Sequence, residues 1–353
     1  MRRPAEVVRR RCQDFPVLSL IVVNLPDAPA PPLPATVLIT GANGFIARAL
    51  ATRLRELGVA VRGVDLVASP GVGVVAGNTV NPGPWAAELD GVDVVVHTAA
   101  LVSNAAPLEK AWEVNVLGTQ RVLRAAVAAG VPRFVHISSI AAYGFDFPDG
   151  VSESDPVRVS GYSYVDTKVN SEHVVLAAHA AGEIDATIIR PGDVWGPGSR
   201  PWTILPLEMI KKKQMVLPAN GKGVFSPVYI DNLVDGMILA LGAKGAVGQI
   251  YNLTDGYGIS CSDYFGRLAA MAGGTVRTLP TPAALLLTTT LGAAQRRLGI
   301  PSELTAATVE MLKRTGTYSI AKARKELGFE PQVTMDDGMV RVQQWARAEG
   351  LIR

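Results

Sequence analysis

A buried-strand composition that runs without a break into a glycine turn, and then into an amphipathic helix, leaves a chain few architectures. Thr36-Val-Leu-Ile-Thr40 is β-branched and aliphatic, as strands covered on both faces are. Gly41-Ala-Asn-Gly44 follows at once, and from Phe45 to Leu57 the apolar residues Ile46, Leu50, Leu54 and Leu57 recur at helical period. Strand, turn and helix in that order are the context a dinucleotide fingerprint requires. Gly41 allows the tight turn. Gly44 lets the backbone N–H groups of Asn43, Gly44, Phe45 and Ile46 approach a pyrophosphate at the positive end of the helix. Ala47 stands where a third glycine often sits and is small enough for close helix–strand packing.

A second strand, Val59-Ala-Val-Arg-Gly-Val-Asp65, ends in a carboxylate about two dozen residues beyond the first glycine, the place of a group that hydrogen-bonds the adenosine ribose. A carboxylate there repels a 2′-phosphate, and Leu66 follows it rather than an arginine. NAD is therefore the expected cofactor, with NADP left open by nearby Arg62. Val92 to His97 reads as a fourth strand, running into Thr98, Ala99 and Ala100, small residues over which a cofactor can lie. Leu108 to Ala129 reads as one helix, ended by Gly130 with Pro132 beyond. Arg133 to Ser139 is a fifth strand, and Ile184 to Ile189 a sixth, ending in Arg190-Pro-Gly-Asp-Val-Trp-Gly196.

This alternation from residue 35 to about 190 is the pattern of an α/β chain with a Rossmann-type, doubly wound parallel sheet. After residue 196, Pro197, Pro201, Pro206 and Pro218 break the elements. The expected organisation is a disordered extension over 1–34, a nucleotide-binding domain over 35–196, and a smaller, mainly helical substrate lobe over 197–353. Residues 228–253 are expected to return to the main sheet.

With 353 residues and 48% hydrophobic content the chain can bury a large core. Its formal charge is +3, of which residues 1–34 carry a net +2, and the remaining +1 does not suggest a nucleic-acid partner. Cys12 and Cys261 are far apart and suggest no disulfide framework. The four histidines have no ligand spacing, so no metal is expected. Arginines followed by Val17-Leu-Ser-Leu-Ile-Val-Val23 loosely resemble a signal peptide, but Asn24 and Pro26 cut the run short. A cytoplasmic enzyme is the simplest expectation. No apolar run is long enough to span a bilayer.

The chemistry points to Tyr164 and Lys168 in Gly161-Tyr-Ser-Tyr-Val-Asp-Thr-Lys168, because residues four apart on a helix share a face. A phenol is too weak a base at its ordinary pKa of about 10, and a neighbouring ammonium favours the phenolate. Lys168 can supply that charge and also hydrogen-bond the nicotinamide ribose. Ser139, at a strand's carboxyl end where ligands bind in open α/β sheets, can orient a substrate oxygen. Ser138 is its rival, on the opposite face of the strand. Tyr162 has no lysine four residues on.

From about residue 35 the chain resembles the extended short-chain dehydrogenase/reductase family, which includes nucleotide-sugar epimerases, dehydratases and 3β-hydroxysteroid dehydrogenases. The resemblance lies in Gly41-x-x-Gly44-x-x-Ala47, His97-Thr-Ala-Ala100, Asn115-Val-Leu-Gly-Thr119, Ser138-Ser-Ile-Ala-Ala-Tyr-Gly144, Tyr164-x-x-x-Lys168 and Arg190-Pro-Gly192. It implies that Ser139 is the catalytic serine, that Pro191 and Gly192 line the nicotinamide, and that Asn115 helps order the central helix. Asn78 departs from the family's usual aspartate at the adenine contact. Nucleotide-sugar members usually carry an arginine just before the Val-Tyr-Ile-Asp strand. Phe225-Ser-Pro-Val-Tyr-Ile-Asp-Asn232 has none, so the hydroxysteroid branch is the better match.

The leading expectation is thus NAD-dependent oxidation of a 3β-hydroxysteroid or similar alicyclic alcohol. Asp193, Trp195 and Phe225 are the expected substrate contacts. A reductase of linear ketones, aldehydes or acyl thioesters, a sugar-nucleotide epimerase or dehydratase, and a non-catalytic cofactor sensor are the alternatives. The branch also suggests peripheral membrane contact through the apolar stretch 282–297, and a homodimer is allowed.

Overall fold

The computed structural model describes residues 32–299 and 302–353, so the extension expected over 1–34, with its signal-like run and Cys12, lies almost wholly outside the described residues. Six parallel strands come from residues 36–191: β1 (Thr36–Thr40), β2 (Ala60–Asp65), β3 (Val74–Ala76), β4 (Val94–His97), β5 (Arg133–Ile137) and β6 (Asp185–Pro191). Four short strands follow, β7 (Asp193–Trp195), β8 (Val216–Leu217), β9 (Val224–Phe225) and β10 (Pro227–Tyr229), before β11 (Ile250–Leu253) completes the main sheet. Its order is β11-β6-β5-β4-β1-β2-β3. The chain builds outward from β1 in one direction and then returns to build in the other. The switch between β1 and β4 opens a crevice at their carboxyl ends.

The strand composition is explained by what covers it. Val37 and Ile39 face one core, with Leu50 and Leu54 of α1 (Phe45–Glu56), whereas Leu38 faces the other with Val95, Phe134, Val122 and Val175. Alternate residues of a strand point to opposite faces, so a strand covered on both must be apolar throughout. The first core continues into the C-terminal half through Trp195, Leu207, Phe225 and Leu233.

Two expected elements differ. Leu108 to Ala129 is three pieces, α2 (Leu108–Trp112), a π turn over Glu113–Leu117, and α3 (Gly118–Ala128). The wider turn carries Asn115, whose side chain is held by Leu101 and Thr167 rather than by its own helix, and such turns are often found at functional sites. Of the segment expected to return to the main sheet over 228–253, β11 joins it beside β6, and the helix Ile230–Gly242 packs in the same core as Val37, Ile39 and Ile189. β10 instead pairs with β7 in a separate two-stranded ribbon. The Tyr164 helix, α4, spans Ser163–Ala180. In α5 (Leu205–Lys211), α6 (Ile230–Gly242) and α7 (Cys261–Ala272) the C-terminal half is mainly helical. Next comes α8 (Thr281–Arg297), which buries Ala284, Thr288 and Gly292 on one face and exposes Leu286, Leu287 and Leu291. Among the described residues no helix is long and apolar enough to cross a membrane.

Candidate active site

At the switch point the backbone is shaped for close approach. Gly41 has φ +69°, and a Cβ there would sit 2.8 Å from the Cα of Ala99, so the turn and the loop after β4 nearly touch. Gly44 is the N-cap of α1, with no side chain capping it and no acidic residue in the first turn. The helix therefore presents unneutralised N–H groups to an anion. Asp65 accepts from the N–H of Asn43 (2.9 Å) and of Leu66 (2.7 Å), which fixes its carboxylate beside the turn. Asn43 in turn bonds the Val67 carbonyl and accepts from Ser69, a contact that no motif in the sequence announced. Arg62, the residue that left NADP open, donates to the carbonyls of Glu88 and Asp90 instead. Thr98 donates to the Thr40 carbonyl at 2.7 Å, leaving Ala99 and Ala100 as the small surface at the strand ends. Asn78 is exposed, with its Oδ1 accepting from the Val80 N–H. Across the sheet, a Cβ on Gly192 would meet the Ser226 carbonyl at 2.6 Å, so only glycine fits beside Pro191. These residues fit a dinucleotide laid across the strand ends.

Asn115, expected to help order the central helix, ties that helix to its neighbours. Its Oδ1 accepts from the Leu101 N–H (2.7 Å) while its Nδ2 donates to the Leu101 carbonyl (3.1 Å) and to Thr167 (3.0 Å). The amide is buried and fully used. It positions the loop after β4 against α4, one residue from Lys168.

Ser139 follows β5, where its hydroxyl accepts from the Ala141 N–H and caps a short helical turn. It also lies close enough to Tyr164 to counter the effect of burial on the phenol. Ser138 is buried with no partner for its hydroxyl. Tyr162 precedes α4 and packs against Phe145 instead. Lys168 is buried, donates to the Ile137 carbonyl at 2.8 Å, and lies 5.9 Å from the centre of the Tyr164 ring. The titration differs from the expectation that the ammonium dominates. Burial pushes the Tyr164 phenol up to about 12, Ser139 pulls it back, and the Asp193 carboxylate pushes it further up. Burial likewise pulls Lys168 down to about 8, opposed by Glu172. The phenol is therefore held protonated, and ionising it calls for additional positive charge nearby.

Beneath this pair lies a buried polar layer in which the motif residues His97 and Thr119 meet Thr40, and His136 meets Ser171. His97 bonds Thr40 through Nδ1 (2.8 Å) and Thr119 through Nε2 (3.0 Å), and Thr119 donates to the Asn115 carbonyl. His136 bonds Ser171 at 2.9 Å. Burial and the Lys168 charge pull His97 down to about 3 and His136 well below its ordinary value, so both are neutral. Below pH 6.5 the unfolded chain takes up protons that the folded chain refuses, so stability present above that pH is lost as pH falls. The expected loss is about 1.4 kcal/mol per pH unit for each histidine. Denaturant titrations at pH 7.5, 6 and 5 should show it, and His136→Gln should roughly halve the slope. A stability independent of pH over that range would contradict the assignment.

Arg190 donates in fork fashion to Glu172 (2.8 and 2.6 Å) and to the Tyr143 hydroxyl (2.7 Å), all buried. Tyr143 in turn donates to Asn252 of β11. The signal was present in the sequence, since Glu172 lies four residues beyond Lys168 on the same helix face.

On the substrate side, two of the expected contacts lie elsewhere. Trp195 is fully buried, edge-on to Tyr229 and Tyr264, and Phe225 stacks on Tyr264 with ring centres 3.8 Å apart. Both serve the aromatic core, because their strands turn inward to pair with β10 and with Ile259–Ser260. Asp193 is buried and ion-paired with Arg314, a residue the sequence gave no reason to single out. Lys211, Lys212, Lys213 and Lys222 are all exposed, and Lys211 donates to the Leu351 carbonyl.

Residues 37–254 match the profile of the NAD dependent epimerase/dehydratase family. Over 325 residues the chain is 31% identical to a 3 beta-hydroxysteroid dehydrogenase/Delta 5→4-isomerase of Mycobacterium tuberculosis, covering 86% of this chain and 88% of that one. It is 29% identical to a 4-hydroxy-2-methyl-3-oxo-4-farnesyl-3,4-dihydroquinoline-1-oxide ketoreductase of Stigmatella aurantiaca, covering 87% and 95%. The fold is similar to that of a short-chain dehydrogenase/reductase superfamily protein from Agrobacterium tumefaciens solved with bound NAD. That match has a TM-score of 0.71 at 25% identity and covers 89% of this chain and 98% of that one.

Proposed function

Because the chain belongs to the NAD-dependent epimerase/dehydratase family, we propose that it is an NAD-dependent dehydrogenase of an uncharged secondary alcohol, with a 3β-hydroxysteroid as the substrate class. The observation that carries this reading is the Tyr164 phenol, half-buried beside Ser139 and backed by the Lys168 ammonium, at the strand ends where a dinucleotide fits. The turn at Gly41 and Gly44 and the Asp65 carboxylate would hold the adenosine half, and Gly192 would admit the nicotinamide half. Bound NAD supplies the hydride acceptor.

The chain's own part is positional and protonic. Ser139 holds the substrate oxygen, and Tyr164 takes the hydroxyl proton as hydride leaves the carbon. Lys168 stabilises the phenolate that precedes this step. In the reverse direction a phenol held protonated by burial is already a proton donor. This supports ketone reduction as the second reading, as does the resemblance to a ketoreductase.

The test is NADH formation with 3β-hydroxysteroids, simple secondary alcohols and UDP-sugars, run with both cofactors. NADH should appear with the first class. Retention of a UDP-sugar without net cofactor turnover would favour an epimerase instead. NAD should be preferred over NADP in kcat/KM, and Asp65→Ser, which no longer repels a 2′-phosphate, should relax or reverse that preference. Equal use of both cofactors by the wild type would mean that Asp65 does not face the ribose.

A further inference from the structure

Resting on the reading of an uncharged substrate, we infer that Asp193 is a specificity-determining residue: by occupying Arg314 from inside the protein, its carboxylate denies that guanidinium to anionic substrates. Arg314 is buried and comes from the segment after α9 (Ala306–Lys313). Its Nε donates to the Val224 carbonyl (3.1 Å), and the Val224 N–H donates to the Arg314 carbonyl (2.7 Å). A terminal nitrogen meets the Asp193 carboxylate, which also accepts from the Ser226 N–H (2.9 Å). The pair thus sits against 224–226, directly after Gly192, and close enough to Tyr164 for its phenol to feel the Asp193 charge. Tyr318, Tyr264 and Cys261 lie near enough to feel charges of the pair.

A buried guanidinium requires a counter-charge. A fork of N–H donors recognises a phosphate as readily as a carboxylate, so whichever anion is nearer takes it. Here the anion is built into the chain, one residue beyond the glycine that borders the nicotinamide site. The four lysines that could replace Arg314 as phosphate ligands are exposed. A substrate carrying a diphosphate would have to displace Asp193 and leave it as an unpaired buried carboxylate. A neutral alcohol meets no such obstacle. The same carboxylate that neutralises Arg314 therefore commits the site to uncharged ligands.

The test uses the full chain saturated with NAD, so that the glycine turn is filled, and measures UDP and UDP-glucose binding by calorimetry. Wild type should show no binding at millimolar ligand. Asp193→Asn frees the guanidinium and should bind UDP at least tenfold more tightly, the scale of one charge-assisted hydrogen bond. The paired variant Asp193→Asn/Arg314→Gln should lose that gain. If Asp193→Asn cannot be purified, Asp193→Ser takes its place, with room for a phosphate oxygen beside the guanidinium. An Asp193 variant that binds UDP no better than wild type overturns the inference, as does a paired variant that keeps the gain. NADH formation by wild type with a 3β-hydroxysteroid is read separately. Gained UDP binding without steroid oxidation would leave this inference standing and refute the substrate assignment. Steroid oxidation without gained binding would do the reverse.

Discussion

Tyr164→Phe is expected to lower turnover by roughly 10²–10⁴, the contribution of a positioned acid–base group, with NAD affinity nearly unchanged. The phenyl ring keeps the packing and only the hydroxyl is removed, so proton transfer is what is lost. Lys168→Met should lower turnover too and should also weaken NAD binding, because the ammonium has two tasks. Its effect on pH dependence should be distinctive. Alcohol oxidation requires the phenolate, so kcat/KM should rise with pH as the phenol ionises. Removing the Lys168 charge moves that rise to higher pH, because burial already holds Tyr164 near 12. Stopped-flow NADH formation from pH 6 to 10 with the three proteins checks both points. Turnover of Tyr164→Phe within a few-fold of wild type would remove Tyr164 from the mechanism.

Glu172→Gln should destabilise the protein by about 3–5 kcal/mol, the usual result of removing one partner from a buried ion pair. Arg190 and Glu172 are 3% and 1% exposed, so water cannot compensate the stranded guanidinium. The amide is nearly isosteric, and packing is not at issue. Replacing both partners, as Glu172→Leu/Arg190→Met, should recover much of the loss, since two apolar groups leave no unpaired charge. The single change should also reach the chemistry, because Glu172 holds the Lys168 pKa up against burial. Denaturant midpoints of the single and paired variants measure the first effect. Equal destabilisation by the two would mean that the pair acts through shape rather than charge.

The sequence by itself determined the sheet, the turn and the order of the chemical groups. β1 as observed spans the five residues read from composition, and α1 begins at the expected Phe45. Such features rest on neighbours in the chain: a strand covered on both faces must be apolar throughout, a tight turn needs glycine, and i, i+4 residues share a helix face. The hydroxysteroid assignment likewise drew on a short segment, 225–232.

Contacts between residues far apart in the chain could only be decided by the tertiary structure. Asp193 and Arg314 are 121 residues apart, and Tyr143 reaches Asn252 across 109. No local period or spacing encodes such pairs. Trp195 and Phe225 read as pocket walls because they are aromatic and near the motif, yet burial assigned them to the core. Asn115 read as an organiser of the central helix, but that it does so by giving both ends of its amide to the loop after β4 is a tertiary fact. Titration divides in the same way. Sequence placed an ammonium beside a phenol, but only the depth of both groups reveals that desolvation outweighs their attraction. Burial is a property of everything packed around a group, and in this fold the helices and strands that cover Tyr164, Lys168 and Asp193 come from both halves of the chain.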